Sequence, residues 1–395
     1  MKKFKRWLAL VAAGMMVFSM SSCDNILGMF GGSEGESTSE EVKEEPIILE
    51  NVKKAKNVIL MIGDGMGPNQ IKVGAQYKGS PLVMQGFPYQ TKVETRSASS
   101  LVTDSAAAAT ALATGTRTTN GVVGKAPTGE ELQTIVDIAH ELGKSTGVIA
   151  TEEIYGATPM GFMGHADNRS DSIDLVQSAA ASSNVNFFAS TKISGLYIDT
   201  FEVAGYEQIK NLDDVSESTS EKIFGWYPII AEAVSMSAEG AIAFDRVVYE
   251  ALEYLSKDED GFFLMAEGSH IDHGGHNNDM NYMLSELLAF DDGVKAVLEW
   301  AKDRDDTVVI VTADHETGGL ELYGDITEET LFELNDTNDR TYKYFEWTTT
   351  GHSDTEVCCF VNGADIDFAS YSFGTDERIK NTDIFQIMKD LLEGK

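Results

Sequence analysis

Four short apolar runs punctuate the chain, at residues 57–62, 147–150, 261–266 and 307–312. They are rich in Val, Ile, Leu and Phe and do not alternate with polar positions. Continuous apolarity at strand length predicts strands buried on both faces. Between these runs the period becomes helical. Residues 131–142 repeat apolar side chains at Leu132, Ile135, Val136, Ile138 and Ala139, and Gly143 ends the pattern. Residues 172–181, 241–255 and 280–301 follow the same rule. Strands alternating with helices predict an α/β fold, a doubly wound, mostly parallel sheet with helices on both faces. No internal repeat or long linker interrupts residues 51–395, which read as a single large domain. Residues 194–240 have weak periodicity and are expected to form a surface insertion.

Sheets of this kind bind ligands beyond the carboxyl ends of their strands. The first run leads into Gly63-Asp64-Gly65-Met66-Gly67, the third into Glu267 and the fourth into Ala313-Asp314-His315. One such acid alone is commonly a loop carboxylate or a helix cap. Three at one rim repel each other unless a cation lies between them. Of the seven histidines, three fall in the segment from His270 to His276, where Asp272 and His276 stand four apart. His315 follows Asp314, and His352 sits in Gly351-His352-Ser353, whereas His140 lies in an amphipathic helix and reads as structural. Acid and imidazole groups without thiolates suit catalytic zinc, with magnesium favoured where only oxygens are offered. Ser105 opens an alanine-rich helix that Gly115 closes. It is either a helix cap or a nucleophile placed where helix N–H groups face an anion. No glycines flank it as in a nucleophile elbow, which argues against an α/β-hydrolase. The Asp64 loop is neither a Walker A nor a dinucleotide-binding motif.

Composition narrows the partners. Lys and Arg total 30 against 64 Asp and Glu, a net charge of −34. A chain this acidic repels polyanions, which excludes nucleic acid binding. Three cysteines exclude a disulfide-dense scaffold, and the adjacent Cys358 and Cys359 read as buried thiols on one strand. The N-terminus has a different logic. Lys2, Lys3, Lys5 and Arg6 precede an apolar stretch too short to span a bilayer comfortably, and Ser21 and Ser22 close it. Residues 1–22 thus have the layout of an export signal. Met20-Ser21-Ser22-Cys23 resembles the lipobox of bacterial lipoproteins, where the cysteine is lipidated. Residues 23–50, rich in Ser, Gly and Glu, read as an acidic flexible tether. The expected location is the cell envelope, on the periplasmic or extracellular side, with a lipid at Cys23 as the membrane link.

Six segments, in order, carry a wider resemblance. They are Ile62 to Gly67, Thr103-Asp104-Ser105-Ala106-Ala107, Ala157-Thr158-Pro159 with His165 and Arg169, Glu267 with Asp272 and His276, Thr312 to His315, and Gly351-His352. In these the chain resembles the alkaline phosphatases from about Lys56 to its C-terminus. The resemblance implies a hydrolase of small phosphate monoesters, acting through phosphoserine on Ser105. It implies two Zn²⁺ ions, one on Asp272, His276 and His352, the other on Asp64, Asp314 and His315 with Ser105. A third ion, usually Mg²⁺, would sit on Asp64, Thr158 and Glu267. Arg169 matches the arginine that grips two phosphate oxygens, which suits a bidentate fork. Homodimers are common in that family.

Related families fit less well. Sulfatases need a modified Cys or Ser with an arginine four residues later, and here that position is Ala109. Phosphodiesterase and phosphomutase relatives keep the zinc pair but lack the third site that Thr158 and Glu267 complete. A surface lipoprotein that only binds phosphate or metal is the reading from a different class, but no member of the ligand set is missing. The chain also departs from the best-known bacterial members of the family it resembles. Those carry Asp two residues before the third-site threonine and Lys after the zinc-binding aspartate; here stand Gly156 and His273. His273 is expected at the phosphate, charged only when protonated. The third site is expected to be less selective for Mg²⁺ and to accept Zn²⁺ or Co²⁺.

Overall fold

The apolar runs lie at the centre of a ten-stranded sheet. The computed structural model describes residues 45–182, 184–191, 195–227, 229–231, 241–327, 329–331, 344–373 and 378–395. Its strands are β1 (Asn57–Gly63), β2 (Tyr89–Glu94), β3 (Ser145–Glu153), β4 (Phe187–Thr191), β5 (Glu207–Ile209), β6 (Ile223–Tyr227), β7 (Phe262–Gly268) and β8 (Thr307–Thr312). A separate two-stranded ladder pairs β9 (Glu316–Thr317) with β10 (His352–Ser353), and β11 (Val357–Asn362) and β12 (Ile379–Lys380) return to the main sheet. The order is β12-β2-β11-β8-β1-β7-β3-β4-β6-β5. From β8 to β5 every pairing is parallel, while β11 runs antiparallel to both β8 and β2. Every residue of β1, β7 and β8 is buried, as their uninterrupted apolarity requires.

Two helix groups cover the sheet. The first comprises α1 (Pro68–Lys78), α7 (Phe244–Leu255) and α9 (Met280–Ala301). The second comprises α2 (Ser105–Thr114), α3 (Ile135–Glu141), α4 (Ala157–Met163) and α10 (Asn381–Glu393). Both groups reach β1. Around them lie α5 (Ser172–Ser182), α6 (Gly195–Val203) and α8 (His270–His276). Among the described residues no helix is long and apolar enough to cross a membrane.

Several expectations change. Residues 194–240 are not merely a surface insertion, because they supply α6, β5 and β6 and extend the main sheet. These strands are short and lean on an aromatic cluster of Phe188, Phe201, Tyr206 and Phe224, which carries no period. Helix α3 starts at Ile135 and not at residue 131, since Thr134 caps it and exchanges hydrogen bonds with Asp137. Residues 241–243 form a strand before α7. The expected tether is shortened at its inner end. Leu49 is buried, its N–H donates to Asn362, and Val52 bridges to Ala364. The signal, Cys23 and the tether up to residue 44 lie outside the described residues. Cys359 is buried, but Cys358, on the opposite face of β11, is only half-buried, and both are free thiols.

Candidate metal-assisted active site

Parallel register brings the strand ends to one level. Ile62 of β1 sits opposite both Thr312 of β8 and Glu267 of β7. Asp64, Glu267 and Asp314 therefore share one rim, as the sequence predicts. Gly65 makes the turn behind Asp64 with φ +74°, and a Cβ there would lie 2.7 Å from the Asp272 Cα. Only glycine allows α8 to approach so closely. Helix α8 supplies Asp272 and His276, and the ladder pairing of Thr317 with His352 seats the last histidine.

Ser105 is not the cap of α2. Asp104 is, accepting from the Ala107 N–H at 3.0 Å. This leaves the Ser105 hydroxyl free to meet His315 Nε2 at 3.1 Å. The same nitrogen lies 3.1 Å from Asp314 Oδ2 and 3.6 Å from Asp64 Oδ1. A second cluster joins Asp272, His276 and His352, and Asp272 also groups with Asp64 and His315, each set having ligand atoms within 4.8 Å of one another. Thr158 donates to Asp64 Oδ2 at 3.4 Å. His276 Nδ1 lies 2.6 Å from the Thr350 carbonyl and His352 Nδ1 lies 2.8 Å from that of Thr103. A carbonyl only accepts, so both rings carry the proton on Nδ1 and turn Nε2 into the site. Those two Nε2 atoms stand 3.2 Å apart. Neutral rings would oppose lone pairs there, so a cation or a proton must lie between them.

The charges point the same way. Burial and the facing Asp314 hold the Asp64 carboxyl well above its ordinary range. Burial and Glu152 do the same to Glu267, and burial and Asp272 push Asp314 up to about 7. Burial would raise Asp272 too, but His276, His315 and Thr317 outweigh it and hold that carboxyl low. The hydrogen bond that His276 donates to the Asp272 carboxylate lifts the imidazole to about 9, whereas burial and His352 keep His315 neutral. Asp64 Oδ1, both Glu267 oxygens and Asp314 Oδ2 are buried with no hydrogen-bond partner. Buried carboxylate oxygens of this kind call for cations, so the residues present fit divalent metal ions.

Arg169 lies at the mouth, 38% exposed, with its guanidinium 3.4 Å from Asp104. His273 stands 3.7 Å from Glu152. Three contributors escape the sequence reading. Thr317 donates to Asp272 and touches His315. Glu316 accepts from Gln70, Leu320 and Ser353 and so ties β9 to β10. Glu152 lies one residue before the end of β3 at the same rim, and the acid-after-apolar-run rule that flags Glu267 would have flagged it in Thr151-Glu152.

A serine at the head of a buried helix, surrounded by inward-turned histidines and unpartnered carboxylates, defines a metal-assisted hydrolase at the rim of a doubly wound sheet. The profile of the family described as alkaline phosphatase matches residues 55–219 and 198–357. Alkaline phosphatase 3 of Bacillus subtilis is 32% identical over 357 residues, covering 82% of this chain and 72% of the relative. The structure of alkaline phosphatase from the Antarctic bacterium TAB5 superposes with a TM-score of 0.73 at 29% identity, covering 87% of this chain and 99% of that one. A histidine-to-aspartate variant of the TAB5 enzyme, with magnesium bound in its M3 site, superposes with a TM-score of 0.71 at 28% identity, with the same coverage. The chain belongs to the alkaline phosphatase family and is a phosphomonoesterase.

Proposed function

We propose that the protein hydrolyses small phosphate monoesters through a phosphoserine on Ser105, with two zinc ions and a third, magnesium, site around it. The observation that carries this reading is the Ser105 hydroxyl, 3.1 Å from His315 Nε2 beside carboxylate oxygens that have no partner. Asp272, His276 and His352 would hold one zinc ion, and Asp64, Asp314 and His315 the other. The oxygen-only set of Asp64, Thr158 and Glu267 suits a hard cation, as found in the M3 site of the TAB5 variant. When bound, such ions stabilise developing negative charge and lower the pKa of a hydroxyl or water.

The chain's own groups do the rest. The Ser105 hydroxyl loses its proton and its oxygen attacks phosphorus; the P–O bond to the alcohol breaks, and the leaving alkoxide takes a proton from water and departs as the alcohol. Water then breaks the serine–phosphorus bond and frees inorganic phosphate. The start of α2 favours the anion through its N–H groups. Arg169 would take two phosphate oxygens as a fork. His273 adds positive charge at the mouth only when protonated. The test is an acid quench during turnover of an aryl phosphate, followed by mapping of the phosphorylated residue. Phosphate is expected on Ser105, and Ser105→Ala is expected to lose on the order of 10³-fold or more in rate while keeping its zinc. Equal turnover by Ser105→Ala overturns the covalent route. From the sequence alone we further infer export and a lipid anchor at Cys23.

A further inference from the structure

Two residues before the third-site threonine, Thr158, stands Gly156, which has no side chain to offer. The volume that a side chain there would take is already filled. A Cβ built on Gly156 would lie 2.0 Å from Glu152 Oε1 and 2.8 Å from its carboxyl carbon. Glycine at 156 and the placement of the Glu152 carboxylate are therefore one feature, since any larger residue would drive that carboxylate away.

Strand β3 delivers Glu152 there by an irregularity. Ala150 pairs with Glu267 of β7, so residue 152 lies just beyond Glu267 on the rim. On the other edge, β3 advances four residues, from Ile149 to Glu153, while β4 advances two, from Ala189 to Thr191. Extra residues in one strand bend it and re-aim side chains, commonly beside active sites. The result is a carboxylate only 19% exposed, among other acids. Glu152 raises the charging cost of both Glu267 and Asp64, which places it in the field of the third-site ligands. Among the described residues no lysine or arginine lies within ion-pair distance of it; the field of Arg169 partly offsets its burial, and its near neighbour His273, at 3.7 Å, is charged only when protonated. A mostly buried carboxylate on the rim beside Glu267, neither of whose oxygens has a hydrogen-bond partner, adds repulsion that the half-exposed Arg169 alone does not cancel and that a bound cation would.

We propose that Glu152 belongs to the third cation site, entering from β3 through the space left by Gly156, and that it sets the affinity of that site for Mg²⁺. His273 stands behind the carboxylate and helps to aim it. The assignment rests on the three-ion reading given under Proposed function. It differs from a packing role in one respect: packing needs the shape of Glu152, whereas cation binding needs its charge.

The experiment titrates the zinc-loaded full chain with Mg²⁺ by calorimetry and with Mn²⁺ by electron paramagnetic resonance, so that binding is read without turnover. Wild type is expected to bind one Mg²⁺ beyond its zinc. Glu152→Gln, which keeps the shape, is expected to weaken Mg²⁺ by about tenfold or more with zinc content unchanged. Glu152→Ala combined with Gly156→Asp, which returns a carboxylate to that volume, is expected to recover binding over Glu152→Ala alone. Equal isotherms for wild type and Glu152→Gln overturn the assignment, as does a double variant no tighter than Glu152→Ala. A wild type that takes up no Mg²⁺ once zinc is bound overturns the three-ion reading, and the assignment with it.

Discussion

Single protons govern this site before any metal arrives. His276 is lifted from 6.5 to about 9 by its bond to Asp272. Between pH 6.5 and 9 the folded, metal-free chain thus holds a proton that the unfolded chain releases. Stability from such a raised pKa is complete below 6.5 and is lost as pH rises through 9. Asp64 and Glu267, also raised, act in the same direction. His315, held low, opposes them only at the bottom of that window, where the unfolded imidazole still gives up its proton. Chelated protein is therefore expected to melt at progressively lower temperature from pH 6.5 to 9. Zinc-loaded protein should not follow, because the ions replace those protons and bind more tightly as pH rises. Parallel thermal melts of both forms test this, and a gap that stays constant with pH overturns it. The residue types were legible in the sequence, since acids after apolar runs and clustered histidines mark themselves. The cap was not: Ser105 and Asp104 are both good capping residues, and only the backbone shows that Asp104 takes the role and frees the serine.

At the scale of elements, a two-residue ladder places a ligand. His352 reaches the site because β10 is pinned to β9, and Glu316 is the pin. Its carboxylate accepts from Gln70 Nε2 at 2.8 Å, from the Leu320 N–H at 3.1 Å, from the Gly319 N–H at 3.2 Å and from Ser353. Glu316→Ala strands these buried donors, at a cost of about 1–3 kcal/mol. It should also release His352, so purified protein is expected to carry about one zinc ion fewer per chain by elemental analysis, with a lower urea midpoint. Full zinc content in Glu316→Ala would show that His352 is held by other means. No periodicity could reveal this ladder. Strands of two residues are too short for a pattern, and the partners Thr317 and His352 are 35 positions apart in sequence, brought together by pairing alone.

For the whole molecule, charge is written along the chain, and so is the motif from which the lipid anchor is inferred. A net charge of −34 surrounds a site that must attract phosphate dianions, so Arg169 and bound cations have to reverse the potential locally. Residues 24–56 separate Cys23 from β1, although those from 47 onward are fastened to the fold. Cys23→Ala is expected to appear in the soluble fraction with its catalytic rate unchanged. Retention of this variant in the membrane fraction would count against lipid anchoring, since one acyl chain alone anchors only marginally and a stable link implies several.

Periodicity by itself determined the parallel centre of the sheet. Strands β1, β7 and β8 and helix α9 are long, buried on their expected faces and specified by local side chains, so their apolar patterns name them. The same runs located Asp64, Glu267 and Asp314, because a strand that ends must end at a rim. Tertiary structure alone decided the edge. There β5 and β6 rest on aromatic packing between distant residues, and β3 carries an irregularity that no local pattern encodes. It also decided that Glu152 occupies the space Gly156 vacates. A missing side chain leaves no mark along the sequence beyond its own glycine, and which neighbour fills the space depends on how the strand and the following helix meet in three dimensions.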